Sequence, residues 1–295
     1  MRYKNGNASV EILENGTRIV EYEDSLNLDY PLNIDIRVST QCSFGYNPKT
    51  KKAKCEFCHE NATTNGKECD YIKLKEKLEN LPKGIELAIG GNQITYRLMS
   101  FLQWASDKEY ICNLTINQGH IKQYENLLIQ CISQNWIKGL GISYRSFVNW
   151  NVPDWILNYE HTVFHVIAGI DNINEVLLLK NYGVKKILVL GEKDHGFNLG
   201  NVNLQSQKHK EWRWFCRKLF DMFDVVVFDN LALDQLKIKR FIPSDKWDQF
   251  YQGEHSMYID AVNEVFSPSS RSSDKINWDL IDLKDYFKTK NLCVF

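Results

Sequence analysis

HTVFHVIAGIDNINEVLLLKNYGVKKILVLG, from His161 to Gly191, decides how the rest of the chain is read. Residues 161–168 are rich in β-formers and alternate in polarity, which predicts a strand. INEVLLLKNY (173–182) spaces its apolar residues for a helix, and KILVLG (186–191) predicts a second strand. Strand, helix and strand in one short stretch make a βαβ unit, and such a crossover joins parallel strands.

The same alternation extends outward in both directions. Strands are expected at IDIRVS (34–39), IELAIG (85–90), CNLTIN (112–117), GLGIS (139–143) and VVVF (225–228). Helical patterns lie between them at 71–81, 94–106, 121–134 and 210–223. Six or seven βα units predict an α/β fold built as a partial or distorted (β/α) barrel. VEILENGTRIVEY (10–22) places two β-prone runs around Asn15-Gly16, a type I′ hairpin signal. After about Asn230 the pattern changes: LALDQLKIK reads as helix and SMYIDAVNEVFS as a hairpin. The expected organisation is an N-terminal hairpin extension (1–30), the partial barrel (31–230) and a C-terminal α+β extension packing on it (231–295).

Composition excludes little but directs the reading of the cysteines. The 295 residues are 43% apolar and 25% charged, with a net charge of −1, so there is no global attraction to nucleic acid or an anionic membrane. A local patch stays possible. No apolar run approaches the roughly 20 residues of a membrane span, and the start, MRYKNGNASVEILENG, lacks a secretory signal's apolar centre. The expected compartment is the cytoplasm, where thiols stay reduced. Five of the eight cysteines (Cys69, Cys112, Cys131, Cys216 and Cys293) are scattered and read as packing residues.

The other three share one loop after the first barrel-type strand: CSFGYNPKTKKAKCEFC, Cys42 to Cys58, a gap of twelve residues and then of two. Parallel α/β folds carry their sites at the carboxyl ends of strands, where this loop begins. Three thiolates holding a [4Fe–4S] cube leave one iron free for another ligand. The competing reading is a structural zinc ion on Cys42, Cys55, Cys58 and His59, although adjacent Cys58 and His59 are poorly spaced for one tetrahedral centre.

This motif resembles that of radical S-adenosylmethionine enzymes, whose gaps are usually three and two residues with an aromatic before the last cysteine. Phe57 fills the aromatic place and, by the resemblance, lies near the adenine. The first gap is fourfold longer here, a change that costs about 1.2 kcal/mol of loop-closure entropy. Gly90, Gly91 and Asn92 stand where the family has Gly-Gly-Glu, which receives the methionyl ammonium; Asn92 replaces the acid. HTVFHVIAGID resembles the family's fifth strand, whose backbone, at Ile167 here, lines the adenine pocket. The likeness covers about residues 31–230 and extends to a phage-type subgroup with a long first cysteine gap. It implies two cofactors, a [4Fe–4S] cluster and S-adenosylmethionine, and reductive cleavage to a 5′-deoxyadenosyl radical that abstracts hydrogen. The substrate, whether small molecule, nucleotide or peptide, is open. A flavodoxin-like electron donor is implied, and Lys49, Lys51, Lys52 and Lys54 read either as its landing surface or as a solvated loop. The alternative function is a non-catalytic iron–sulfur or zinc-binding module.

Strand alternation predicts which side chains face the barrel interior. The set is Asp35, Arg37 and Ser39; Glu86, Ala88 and Gly90; Thr115 and Asn117; Ser143; His161, Val163, His165 and Ile167; and Gly191 with Lys193. The deeper members are expected to form ion pairs, Arg37 with Glu86 for instance. Asn117, Ser143, His165 and Lys193, nearer the carboxyl ends, are expected to touch cofactor or substrate, with His165 and Lys193 the candidate catalytic pair. EWRWF (211–215) reads as base-stacking or, at helical spacing, as packing on the sheet.

Overall fold

The computed structural model describes residues 1–13, 18–91, 93–147, 150–244 and 255–292. The expected turn at Asn15-Gly16, Asn92 and Cys293 lie outside them. Strands β1 (Arg2–Asn5), β2 (Ala8–Ile12) and β3 (Arg18–Glu21) form an antiparallel sheet. The expected hairpin is β2–β3. β1 adds a strand that the short polar run RYKN did not announce.

The main sheet starts with β4 (Asn33–Arg37), and a short strand, β5 (Gln41–Tyr46), follows outside it. Then α1 (Tyr71–Leu78), β6 (Glu86–Gly91), α2 (Tyr96–Asp107), β7 (Ile111–Asn117), α3 (Ile121–Ser133) and β8 (Gly139–Ser143) alternate. The alternation continues through α4 (Asp154–Asn158), β9 (Thr162–Ile167), α5 (Ile173–Leu178) and β10 (Lys186–Leu190). Next come α6 (Gln207–Phe215), α7 (Lys218–Met222), β11 (Val225–Phe228) and α8 (Asn230–Gln235). The chain ends with β12 (Ser256–Asp260), β13 (Val265–Ser267), β14 (Ile276–Asn277) and α9 (Leu283–Leu292). The helix at 154–158 escaped the sequence because one turn is too short to show a period.

Strand order decides the architecture. β4, β6, β7, β8, β9, β10 and β11 lie side by side in chain order, every pair parallel. Winding in one direction with right-handed crossovers puts the connecting helices on one face and makes the other face the inside of a curve. β12 pairs parallel to the free side of β4, the place of a barrel's eighth strand, and β13 and β14 continue antiparallel beyond it. Among the described residues no pairing joins β12 to β11, so the sheet is an open, partial barrel.

Burial follows the alternation. Ile34, Ile36, Leu87, Ile89, Leu114 and Ile116 are buried beneath the helices, against Leu74 and Leu78 of α1 and Leu98, Phe101 and Leu102 of α2. Asp70 caps α1 by accepting from the Ile72 and Lys73 amides, and Thr95 caps α2. A second, smaller core joins Ala8, Val10, Leu28 and Leu32 to Phe287 of α9, with Lys284 and Lys288 paired to Asp29 at 3.2 and 2.6 Å. The stretch 231–295 therefore does more than pack on the barrel: β12–β14 enter its sheet, and α9 covers the N-terminal sheet.

EWRWF divides. Two positions along a helix are about 200° apart, so Trp212 is fully buried whereas Trp214 is 81% exposed. Among the described residues no helix is long and apolar enough to cross a membrane.

Candidate functional site

The twelve-residue gap is a folded hairpin. After β5 the chain turns at Asn47–Lys52, held by Asn47 N–H to Lys52 O at 2.8 Å and Lys51 N–H to Asn47 O at 2.8 Å, with Lys51 at φ +55°. It returns so that the amides of Lys54 and Cys55 both donate to Phe44 O, at 3.0 and 3.1 Å. Cys55 is thereby anchored at Phe44, two residues after Cys42. A turn follows in which Cys58 N–H donates to Cys55 O at 3.2 Å. The four lysines are exposed on this hairpin, Lys54 with its ammonium 5.0 Å from the Phe44 ring centroid.

From the other side, Gly196 closes on the cysteine turn. Its φ is +65°, and a Cβ there would lie 2.5–2.7 Å from the carbonyls of His59 and Cys58, while Phe197 N–H donates to Cys58 O at 3.0 Å. The three thiols lie close enough that Cys42 and Cys58 both disfavour ionisation of Cys55, and Cys42 does so for Cys58. Burial is the larger cause: it pushes Cys55 up to about 11 and raises Cys42 and Cys58, against the pull of Arg145 on Cys42 and Cys55. Arg145 also donates to Lys54 O and stacks over the Phe57 ring at 4.9 Å. It follows β8 by two residues, and nothing in its sequence context marked it.

Among the described residues no three His, Cys, Asp or Glu side chains are gathered closely enough to hold a metal ion as they stand. His59, the proposed fourth zinc ligand, turns its Nε2 to Glu60 Oε1 at 2.9 Å and to Lys193 Nζ at 3.3 Å.

The inner face carries the expected polar set with one repairing. Arg37 pairs with Glu60 through Nε at 2.9 Å and with Asp260 of β12 through Nη1 at 3.0 Å, and also donates to Glu60 O. It does not pair with Glu86. The register sets Arg37 beside Gly90 and Glu86 beside Asn33, four residues lower, or about 13 Å along the strand. Glu86 bonds Arg18 of β3 at 3.0 Å and Asn113 at 2.6 Å. Burial opposes ionisation of Glu60, but the His59 hydrogen bond and the charges of Arg37 and Lys193 outweigh it and hold Glu60 down at about 2. Asp35 opens to the lumen while protein surrounds it, and desolvation pushes it up to about 6 despite Lys193.

Gly90 is exposed to the lumen, and a Cβ built on it meets nothing within 4 Å. Gly141 is the opposite case: a Cβ there would strike Thr115 Oγ1 and the His165 ring at 2.7 Å, so its absence makes room for the imidazole. Burial holds His165 down at about 4, a neutral ring at ordinary pH. Ser143 lies beside His165 and Asn117 in the ladder. Asn117 Oδ1 is engaged in capping its own turn, accepting from Gly119 N–H at 2.9 Å. Ile167 donates its amide to Asp171 at 2.6 Å. Gly191 meets Leu231 and the Ala232 backbone, because alternation ends with β10. Lys193 nevertheless reaches the rim, bonding His59 and Ser270 Oγ at 3.1 Å. Beside the cysteine hairpin, His120 bonds Ser43 Oγ at 2.9 Å, and burial holds it down at about 4.

No protein-family model matches the chain, and no curated protein matches it. Among solved structures it is similar to a mutant tryptophan synthase alpha subunit from the hyperthermophile Pyrococcus furiosus, at 12% identity over 72% of this chain and 90% of that one, with a TM-score of 0.33.

Proposed function

We propose that this chain is a radical S-adenosylmethionine enzyme in which Cys42, Cys55 and Cys58 hold a [4Fe–4S] cluster. The observation that carries the reading is the hairpin of residues 43–54. It returns Cys55 to Phe44 O, two residues after Cys42, and keeps the three thiols within electrostatic reach of one another despite the long gap. With Cys42, Cys55 and Cys58 holding it, the cluster would supply one-electron reductive cleavage of S-adenosylmethionine leading to hydrogen abstraction from substrate, given one electron from a flavodoxin-like donor.

The chain's own residues have separable tasks. The thiols lose their protons when they take metal, and Arg145 offsets part of the burial that opposes this. Gly90 leaves open space in the lumen, where the methionyl end of the cofactor would sit. Phe57, under the Arg145 guanidinium, would be the residue beside the adenine, as the family resemblance implies. Asn117, Ser143 and Ile167 line the same end of the inner face. His165, neutral and seated over Gly141, and Lys193, tethered at the rim, orient substrate. The seven described cysteines are all free thiols, which suits a reducing cytoplasm.

A non-catalytic iron–sulfur or zinc module accounts less well for the site. His59 is committed to Glu60 and Lys193, and a binding module has no use for the open space before Gly90. The test is anaerobic reconstitution with iron and sulfide, followed by strong reductant and S-adenosylmethionine. Formation of 5′-deoxyadenosine is expected, with His165→Ala and Lys193→Ala keeping cluster and fold but losing substrate turnover. An intact cluster that yields no 5′-deoxyadenosine ends the reading.

A further inference from the structure

The outer surface beyond β10 carries a feature that the inner site leaves unused. Along α6 and the residue pair that follows it, Lys210, Arg213, Trp214 and Arg217 recur at helical spacing and share one side over about 10 Å. The turn after α8 brings Lys237, Arg240 and Phe241 against them, and the seven residues line a shallow, open groove of about 620 Å³. Among the described residues no ion pair joins any of these five cations to a carboxylate. Trp214 is 81% exposed and Phe241 38% exposed, with the Arg240 guanidinium 4.5 Å from the Phe241 centroid.

This is costly surface for a chain whose net charge is −1. Clustered like charges repel, and a large aromatic left in water forfeits its burial energy. The fold does not require Trp214, since Trp212 supplies the packing from this helix. We infer that this groove binds single-stranded nucleic acid, its phosphates along the five cations and a base stacked on Trp214. The pairing of a cationic track with an exposed ring is the chemistry that recognises unpaired strands, because every base has a face to stack. In a duplex the faces are already stacked, and neither an acidic protein nor a vesicle surface presents one. The inference is independent of the cluster and holds whether or not the chain is a radical enzyme.

The test is fluorescence anisotropy of a labelled single-stranded 20-mer with the full chain, at several salt concentrations. Binding is expected to weaken with salt at a log–log slope of about −2 if three phosphates are engaged. Trp214→Ala is expected to weaken binding by roughly 10- to 100-fold, while Trp214→Phe, which keeps a ring, stays within about threefold of wild type. Lys210→Glu/Arg213→Glu loses binding, whereas the matched reversal Lys4→Glu/Lys122→Glu, away from the groove, does not. These positions are solvent-facing or nearly so, and unchanged thermal melts establish that the variants fold. The inference is overturned if the 20-mer does not bind at low salt, or if Trp214→Ala binds it like wild type. It is equally overturned if a duplex, dextran sulfate or anionic phospholipid vesicles bind as tightly as the single strand.

Discussion

Cys58 and Cys112 are the same residue in two regions that use it oppositely. Cys112 lies in β7, fully buried among Leu87, Leu114 and the helices, and the desolvated thiol is pushed up to about 12. Cys58 lies in a turn at the open end of the sheet, half-buried, within electrostatic reach of another thiol. Its carbonyl is held by Phe197 and its thiol receives backbone hydrogen bonds from Glu60 and Ala62. The first environment needs a small apolar group, which a thiol happens to be. The second orients sulfur among polar partners, which packing alone does not require.

The sharpest break between the regions is metal content. Replacing Cys42, Cys55 or Cys58 by Ala is expected to abolish iron and sulfide uptake on anaerobic reconstitution, measured by chemical analysis and absorbance. Cys112→Ala keeps the full content and instead loses about 1–2 kcal/mol of stability to the small cavity. Zinc in reconstituted wild type, or iron–sulfur absorbance in the triple variant, reverses the assignment.

Arg37 tests whether the polar lumen is held by charge pairing. Arg37→Ala leaves Asp260, 2% exposed, without its cation and removes one of the positive groups around Glu60, which keeps His59 and Lys193. A loss of about 3–5 kcal/mol in urea unfolding is expected. Glu86→Gln is expected to cost less than half of that, because Arg18 and Glu86 are both more exposed. Equal losses would mean that the rim and the deeper lumen are not distinct.

Gly90 separates room for a ligand from room required by the fold. A Cβ there meets nothing, so Gly90→Val leaves the melting temperature unchanged or raises it, valine being a good strand residue. The same change is expected to weaken S-adenosylmethionine binding to reconstituted protein at least tenfold, about 1.4 kcal/mol, by equilibrium dialysis. Gly141→Ala, where a Cβ would strike the His165 ring, is expected to destabilise the fold itself.

The smallest effect is a pH dependence. Burial pushes the Asp171 carboxyl up to about 7, against the Ile167 amide and the charges of Arg145 and Lys208, with Glu175 adding to the rise. A folded-state value above the unfolded one contributes stability in full below about pH 4 and loses it as pH rises through about 7. Asp171→Asn keeps an acceptor for Ile167 without the ionisation. It is expected to melt about 3–6 °C above wild type at pH 8 and level with it near pH 4, by circular dichroism. A gap of the same size at both pH values would make the effect one of packing rather than charge.

Alternation along single strands was legible with good fidelity. Ile34, Ile36, Leu87 and Ile89 go to the helices, and Glu86, Gly90, Thr115 and His165 go to the lumen, because a strand's two faces repeat every second residue whatever its partners. Lys193 was placed by extending that rule past β10 and reached the rim, whereas Gly191, placed by the same extension, met Leu231 instead. β1 and α4 were too short to carry a period, and the addition of β12 to the sheet depends on contacts more than 200 residues apart, such as Arg37 with Asp260.

By itself, the sequence determined the βα succession, the two faces of each strand and the three cysteines sharing one loop. All of these are properties of neighbours along the chain. The tertiary structure decided what depends on register and return. The hairpin of residues 43–54 folds back onto Phe44, Arg37 finds Asp260 and Glu60 rather than Glu86, and Arg145 comes to lie over Phe57. It also left Trp214 in solvent while burying Trp212. Those outcomes follow from where distant strands and helices meet, and the energy of such meetings depends on packing and charge that adjacent residues do not encode.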